Sequence, residues 1–146
     1  MSVYVAHLDN TAVTGAITLI QVNAPSTAAI EILEAWVDFS STTSTAQRVQ
    51  LLRVTTAGTG SSFTPIQLSG RTLAAGATAT NNHSAEGTAG DVLRQRIVNY
   101  LSGFHYLPTP QSAIYVPPSG RIALRLPTAP GASVNITAGI IWRELA

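Results

Sequence analysis

Apolar and polar residues alternate along much of the chain, which is the pattern of β-strands that bury one face. The alternation is clearest over residues 121–126 and 133–145. A turn composed of two prolines, a serine and a glycine, at residues 117–120, precedes the first of these segments. We therefore predict two half-buried strands whose inward side chains belong to the core. The predicted core residues are Ile122, Leu124, Leu126, Val134, Ile136, Ala138, Ile140 and Trp142.

Two longer segments, residues 28–39 and 47–55, carry apolar residues on both faces in places, as central strands do. The polar loop 40–46 separates them. We expect a β-bulge near Leu33 and Glu34, where the alternation breaks. Short strands separated by Gly, Pro, Ser and Thr turns indicate a sandwich or a barrel. The shorter predicted strands are residues 2–8, 16–22, 63–69, 104–107 and 113–116.

Residues 91–103 fit two kinds of structure. Leu93, Ile97 and Leu101 recur at four-residue spacing, as they would on one side of a helix. The same three residues also share one face of a strand, and the segment is rich in residue types that favour extended backbone. We predict a strand. The preceding stretch 69–90 is small, polar and rich in glycine, which indicates a surface excursion or an edge strand with long loops.

Composition points to a protein partner. The 146 residues suit one domain, and only 10% of them are charged, against roughly 25% in an average domain. A net charge of +1 gives little repulsion between copies. All eight basic residues are arginine, the cation favoured in protein interfaces, although codon bias in a GC-rich genome would give the same usage. The arginines are scattered and balanced by seven acids, so we expect no nucleic-acid partner.

The start of the chain is a candidate contact segment. Residues 1–15 hold few turn signals, and we predict that they form an N-terminal arm or an edge strand beside a sandwich domain of residues 16–146. The first ten residues lack the cationic start of a signal peptide. No run in the chain approaches the roughly 20 apolar residues of a membrane helix, so no membrane partner is expected. The predicted protein-interface residues are Val3, Tyr4, Val5, Leu8, Arg94 and Arg96.

The sequence carries no motif for nucleotide hydrolysis or acyl transfer. A P-loop needs a lysine, which the chain lacks, and there is no Gly-x-Ser-x-Gly elbow. On a regular strand Glu31 and Glu34 would point to opposite faces. Glu34 and Asp38 would share a face about 13 Å apart, beyond the roughly 9.5 Å that separates glycosidase carboxylates at most. We expect no enzymatic activity and no catalytic residues, and we interpret these acids as a solvated or interface face.

No metal site and no other cofactor is predicted. The chain has no cysteine, so a metal would depend on histidines and carboxylates. His7, His83 and His105 are not spaced as neighbouring ligands, which favours surface or packing roles. The tyrosines and the tryptophans Trp36 and Trp142 would suit a sugar-stacking platform, but core and interface anchors explain an aromatic content of 6% more simply.

Residues 100–126 resemble the C-terminal half of small proteins encoded in the head modules of tailed bacteriophages. The resemblance is carried by Gly-Phe-His-Tyr-Leu-Pro-Thr-Pro at 103–110, the turn at 116–120 and the strand at 121–126. The terminal strand ending at 141–144 belongs to the same pattern. Those phage proteins look like jelly-roll capsid decoration, or cement, proteins. The resemblance covers about a third of the chain strongly.

The resemblance implies an all-β, jelly-roll-like antiparallel β-sandwich in a single domain. It further implies a non-enzymatic homotrimer on the outer surface of the virion capsid, assembled in the host cytoplasm. Its partners would be further copies of itself and the major capsid protein, whose neighbouring subunits it would bridge to stabilise the head.

Two other functions compete with this one. A tail-fibre or carbohydrate-binding jelly-roll module is the alternative, and an exposed aromatic pair beside acidic groups in a shallow groove would favour it. A cupin-like metal enzyme would need histidines and carboxylates clustered inside a barrel, which the histidine spacing argues against. Fold alone does not decide among them, because sandwich folds serve many functions.

Overall fold

The computed structural model describes residues 2–70 and 73–145, and these residues are almost entirely in strands and turns. A short 3-10 turn, Pro110–Ser112, interrupts the series of strands. The strands are β1 (Ser2–Val13), β2 (Ile17–Asn23), β3 (Ile30–Ser40), β4 (Ala46–Thr56), β5 (Thr59–Phe63), β6 (Ile66–Gln67), β7 (Thr78–Ala85), β8 (Thr88–Asn99), β9 (Phe104–Tyr106), β10 (Ile114–Val116), β11 (Arg121–Leu126) and β12 (Val134–Glu144).

The strands form two antiparallel sheets that pack face to face. The front sheet has the order β10-β3-β12-β1-β6, and β9 pairs a further part of β3. The back sheet has the order β5-β7-β2-β11-β4-β8. Each strand buries alternate side chains between the sheets, as the period-two pattern requires.

Strands from the two halves of the chain pair with one another. β1 pairs with β12, β2 with β11 and β4 with β8. On its other side β12 pairs with β3, and on its other side β11 pairs with β4. The chain is therefore a long antiparallel ribbon rolled across both sheets, which is the jelly-roll arrangement. The predicted jelly-roll-like antiparallel β-sandwich in one domain is confirmed.

The inner faces of both sheets make one hydrophobic core. Trp142 is fully buried, and its ring lies 6.2 Å from that of Tyr4. Every core residue predicted on β11 and β12 is 5% exposed or less, so the predicted inner face of these strands is confirmed.

The N-terminal segment is an integral strand of the front sheet. β1 pairs with β12 from Ser2 to Val13, and β6 pairs with it at Tyr4 and Val5. The segment therefore shares the core of the sandwich and is not a separate arm. The edge-strand interpretation fits better, since β6 is only two residues long and covers a small part of β1.

The middle of the chain differs most from the predicted strands. Residues 91–103 were ambiguous between helix and strand; β8 confirms the strand as far as Asn99, and residues 100–102 form a turn instead. The strand predicted at 63–69 is wrong in extent, because Pro65 cannot donate a ladder hydrogen bond and separates β5 from β6. The stretch 69–90, predicted as an excursion or an edge strand, contains β7, which is paired on both sides. Positions 71 and 72 lie outside the described residues.

The turn between β4 and β5 and the turn between β7 and β8 lie over the outer face of the back sheet, and we call them the arch. Glu86 in the arch accepts hydrogen bonds from the Thr18 backbone nitrogen at 3.0 Å and from its hydroxyl at 2.8 Å. Gly58 donates its backbone N–H to Gln21 Oε1 at 3.4 Å. The glycine-rich composition of this region allows the close approach of backbone to backbone.

A β-bulge in β3 reorients its acidic residues. Ile141 lies opposite Glu34 and Trp142 lies opposite Ile32, so Leu33 is the extra residue. The bulge was predicted at this point, and it is confirmed. The expectation that Glu31 and Glu34 face opposite ways is wrong, because the extra residue restores Glu34 to the outer face that Glu31 occupies.

Candidate functional site

The outer face of the front sheet carries a row of acidic and aromatic side chains on β3. After the bulge, Glu34, Trp36 and Asp38 alternate with the fully buried Ala35 and Val37. The period of two places all three outward side chains on one face. The bulge at Leu33 is therefore what places this row on the outer face together with Glu31.

Trp36 lies flat on the backbone of the neighbouring strand. It is directly opposite Gly139 of β12, and a methyl group added to Gly139 would overlap several atoms of the indole ring. A side chain at this position would exclude the ring, so the glycine is required for the observed position of Trp36. One face of the indole is thus supported by backbone, and the residue as a whole stays partly exposed.

β9 brings an imidazole to the same row. His105 is directly opposite Trp36, and its Nε2 lies 2.6 Å from Glu34 Oε2. The turn before β9 contains Gly103 at a φ of 68°, where a Cβ would lie 2.8 Å from Asp38 Oδ1. Glycine at this turn therefore lets the chain pass close to the carboxylate and present His105 beside Glu34.

These side chains enclose an open groove of about 350 Å³, which we call the polar groove. A second groove of about 270 Å³ lies beside it, and Phe104 and His105 line both. In the second groove the guanidinium carbon of Arg94 lies 5.3 Å from the ring centre of Tyr106. The residues of the polar groove are Glu34, Trp36, Asp38, Ser102, Phe104 and His105.

The other half of the same outer face is apolar. Val5 on β1 is opposite Ile141 on one side and Ile66 on the other, and we call these three residues the aliphatic row. Ile66 is 50% exposed, and Leu68, two residues further along the chain, is 52% exposed. This half of the face has the composition of a protein contact surface.

The six predicted interface residues fall in three places. Val3 and Val5 lie partly exposed on the outer face of the front sheet, at the aliphatic row. Tyr4 and Leu8 are only 2% and 3% exposed, because the alternation of β1 turns them into the core. Their predicted interface role does not fit this position. The exposed Arg94 and Arg96 lie on β8 at the opposite edge and line the second groove.

The three histidines have separate surroundings. His105 pairs with Glu34, the His7 ring lies 4.7 Å from that of Phe63, and His83 is buried beneath the arch. Within residues 2–70 and 73–145 no group of three or more histidines and acids is placed to hold a metal ion. No helix in this same part of the chain is long and apolar enough to cross a bilayer.

Sequence reasoning missed two residues that shape the polar groove. Gly139 lies in the middle of a strand rich in apolar and β-branched residues, and an isolated glycine in a strand is a recognised sign of close approach by another group. That signal was available, but it does not name Trp36 as the approaching group. Gly103 belongs to the segment that fits a helix or a strand, and neither pattern predicts that it turns the chain into β9.

Comparison with known proteins adds no relative. No protein-family model, no curated protein and no solved structure matches the chain.

Proposed function

We propose that the chain is a virion structural protein, a capsid decoration or cement protein that binds the outside of a phage head. It acts as a homotrimer that bridges neighbouring major capsid subunits and stabilises the shell. The observation that carries this proposal is the aliphatic row, in which Ile66 is half exposed and Val5 and Ile141 are partly exposed on the surface of a folded sandwich.

The surroundings of the aliphatic row support a protein contact. Next to it, Arg143 forms an ion pair of 2.6 Å with Glu31, and Val3 lies opposite Arg143. An apolar centre with a polar, partly exposed rim is the usual organisation of a protein interface. The low charge of the chain leaves little electrostatic repulsion to oppose close approach of several copies.

A trimer would turn weak contacts into durable attachment. A closed ring of three identical subunits presents the same side chains to three equivalent neighbours on a shell. Once one subunit is bound, the others bind at a high effective concentration, so that modest single-site affinities combine. The resemblance of residues 100–126 to phage decoration proteins supports the same arrangement.

Light scattering on the purified chain tests the assembly. We expect a mass of three subunits of 15.2 kDa each, and cosedimentation with empty heads assembled from the cognate major capsid protein. Ile66→Asp places a charge in the half-exposed aliphatic row and should weaken trimer formation or head binding. Ile97→Asp is the matched control, because Ile97 is 65% exposed on β8, at a distant edge.

Both variants should remain folded, since both positions are on the surface, and circular dichroism checks this. A wild-type chain that is monomeric at micromolar concentration and does not cosediment with heads would contradict the proposal. Equal effects of Ile66→Asp and Ile97→Asp would show that the aliphatic row is not the contact surface.

A further inference from the structure

We infer that the polar groove is a binding site for a neutral oligosaccharide, with one sugar ring stacked on Trp36. This site is separate from the aliphatic row and does not depend on the proposed attachment to a capsid. The inference rests on the position of one indole and on the polar groups that surround it.

Trp36 has the geometry of a stacking platform. Its ring is held flat against the Gly139 backbone, on which it lies directly. An aromatic ring that covers a glycine on the neighbouring strand stabilises the sheet. This packing explains why one side of the Trp36 ring is covered, but it gives no role to the other side. Trp36 lines the polar groove, and the side of its ring turned away from Gly139 is the one that a ligand there would cover. The negative face of an aromatic ring attracts the weakly positive C–H groups on the flat side of a sugar.

The polar groups around the ring suit hydroxyls. The carboxylates of Glu34 and Asp38 accept hydrogen bonds, while the Ser102 hydroxyl can either donate or accept. His105 holds one oxygen of Glu34 at 2.6 Å, so that this carboxylate is already oriented before a ligand arrives. Such preorganisation lowers the entropic cost of binding. A few placed polar groups beside an apolar surface are typical of small-molecule sites.

The charges select among ligands. Two carboxylates beside the platform would repel a sugar acid or a sulfated sugar, so we infer an uncharged ring at Trp36. The second groove shares Phe104 and His105 with the polar groove and offers the guanidinium groups of Arg94 and Arg96 as donors. An oligosaccharide of more than one unit therefore fits better than a monosaccharide.

An array of neutral oligosaccharides built from hexoses and N-acetylhexosamines, with sialylated and sulfated counterparts, tests the site directly. We expect binding to neutral members and weaker binding to the acidic ones. The best neutral oligosaccharide should also protect the protein from acrylamide quenching of tryptophan fluorescence. Of the two tryptophans in the chain, Trp142 is fully buried, so protection reports on Trp36.

Trp36→Ala should weaken binding of that oligosaccharide about tenfold, since stacking on an aromatic ring changes the affinity by a factor on the order of ten. Asp38→Asn, at an exposed position, removes one carboxylate without opening the sheet, and it should also weaken binding if Trp36→Ala proves unstable. Tyr115→Ala is the matched control, because Tyr115 is 52% exposed on β10 but does not line the groove. It should bind as the wild type does.

Several results would overturn the inference. The absence of binding to every neutral oligosaccharide on the array would do so, as would binding without protection of Trp36. An acidic groove beside an indole also suits a cation. If a lysine-rich peptide bound in a Trp36-dependent manner and the neutral sugars did not, the site would be a protein contact. Equal effects of Asp38→Asn and Tyr115→Ala on sugar binding would place the sugar elsewhere.

Discussion

At the scale of single residues, His83 makes the stability of the folded protein depend on pH. It is 5% exposed beneath the arch, where its Nε2 lies 2.8 Å from the Thr80 hydroxyl. Burial lowers the pKa of His83 below its usual value, and the nearby Glu86 carboxylate opposes this only in part. The folded protein therefore keeps the imidazole neutral at a pH where the unfolded chain protonates it.

This difference predicts a loss of stability in acid. Above the unfolded pKa of 6.5, His83 is neutral in both states and its contribution is fully present. As the pH falls below that value towards the lower folded pKa, the unfolded state binds more protons and the free energy of unfolding decreases. Urea unfolding between pH 7.5 and 5 should show this decrease. The decrease should be smaller in His83→Gln, and an identical slope would refute the assignment.

The same scale shows how far the sequence determines the candidate site. Alternation alone was enough to place Glu34 and Asp38 on one face, and the bulge near Leu33 brings Glu31 onto that face as well. The approach of Trp36 to Gly139 was not predictable, because it depends on which residue of β12 lies opposite it. Pairing with His105 likewise depends on the register between β3 and β9. Register is a tertiary property, and a shift of one residue would reverse every side chain.

At the scale of elements, strong alternation predicted strands well and small polar residues predicted them poorly. β11 and β12 follow the pattern closely, because one face of each strand is buried in the core. β7 carries alanine, threonine and asparagine with no apolar period, so its pairing with β2 and β5 left little trace in the sequence. The β8 region was ambiguous because Leu93, Ile97 and Leu101, at four-residue spacing, fit the period of a helix as well as that of a strand.

The two faces of β12 predict different responses to truncation. Ile136 is fully buried, and Ile136→Ala should lower the free energy of unfolding by about 2 to 5 kcal/mol, the usual cost of such a cavity. Ile141 is partly exposed on the outer face of the same strand, so Ile141→Ala should cost clearly less. Denaturant titration of both variants provides the comparison. Similar losses at the two positions would mean that the assigned faces of β12 are incorrect.

At the scale of the whole molecule, the region between β4 and β8 protects the jelly roll. β7 and β5 extend the back sheet beyond β2, and β6 covers part of β1 in the front sheet. Without them both strands would present unpaired backbone groups at exposed edges, which promotes uncontrolled association. The opposite edge, formed by β8, has Arg94 and Arg96 as charged side chains instead. The molecule thus limits edge pairing, while the aliphatic row, the proposed contact surface, stays partly exposed.

The position of β1 in that architecture gives the last prediction. If residues 1–8 were a dispensable arm, their deletion would weaken assembly and leave the fold intact. In the structure, β1 pairs along β12 and contributes Tyr4, Ala6 and Leu8 to the core, each 3% exposed or less. The deletion should therefore abolish the cooperative thermal transition observed by circular dichroism. A truncated chain that still unfolds cooperatively would mean that the rest of the sandwich closes without β1, and the segment would again be a candidate arm for reaching a neighbouring subunit.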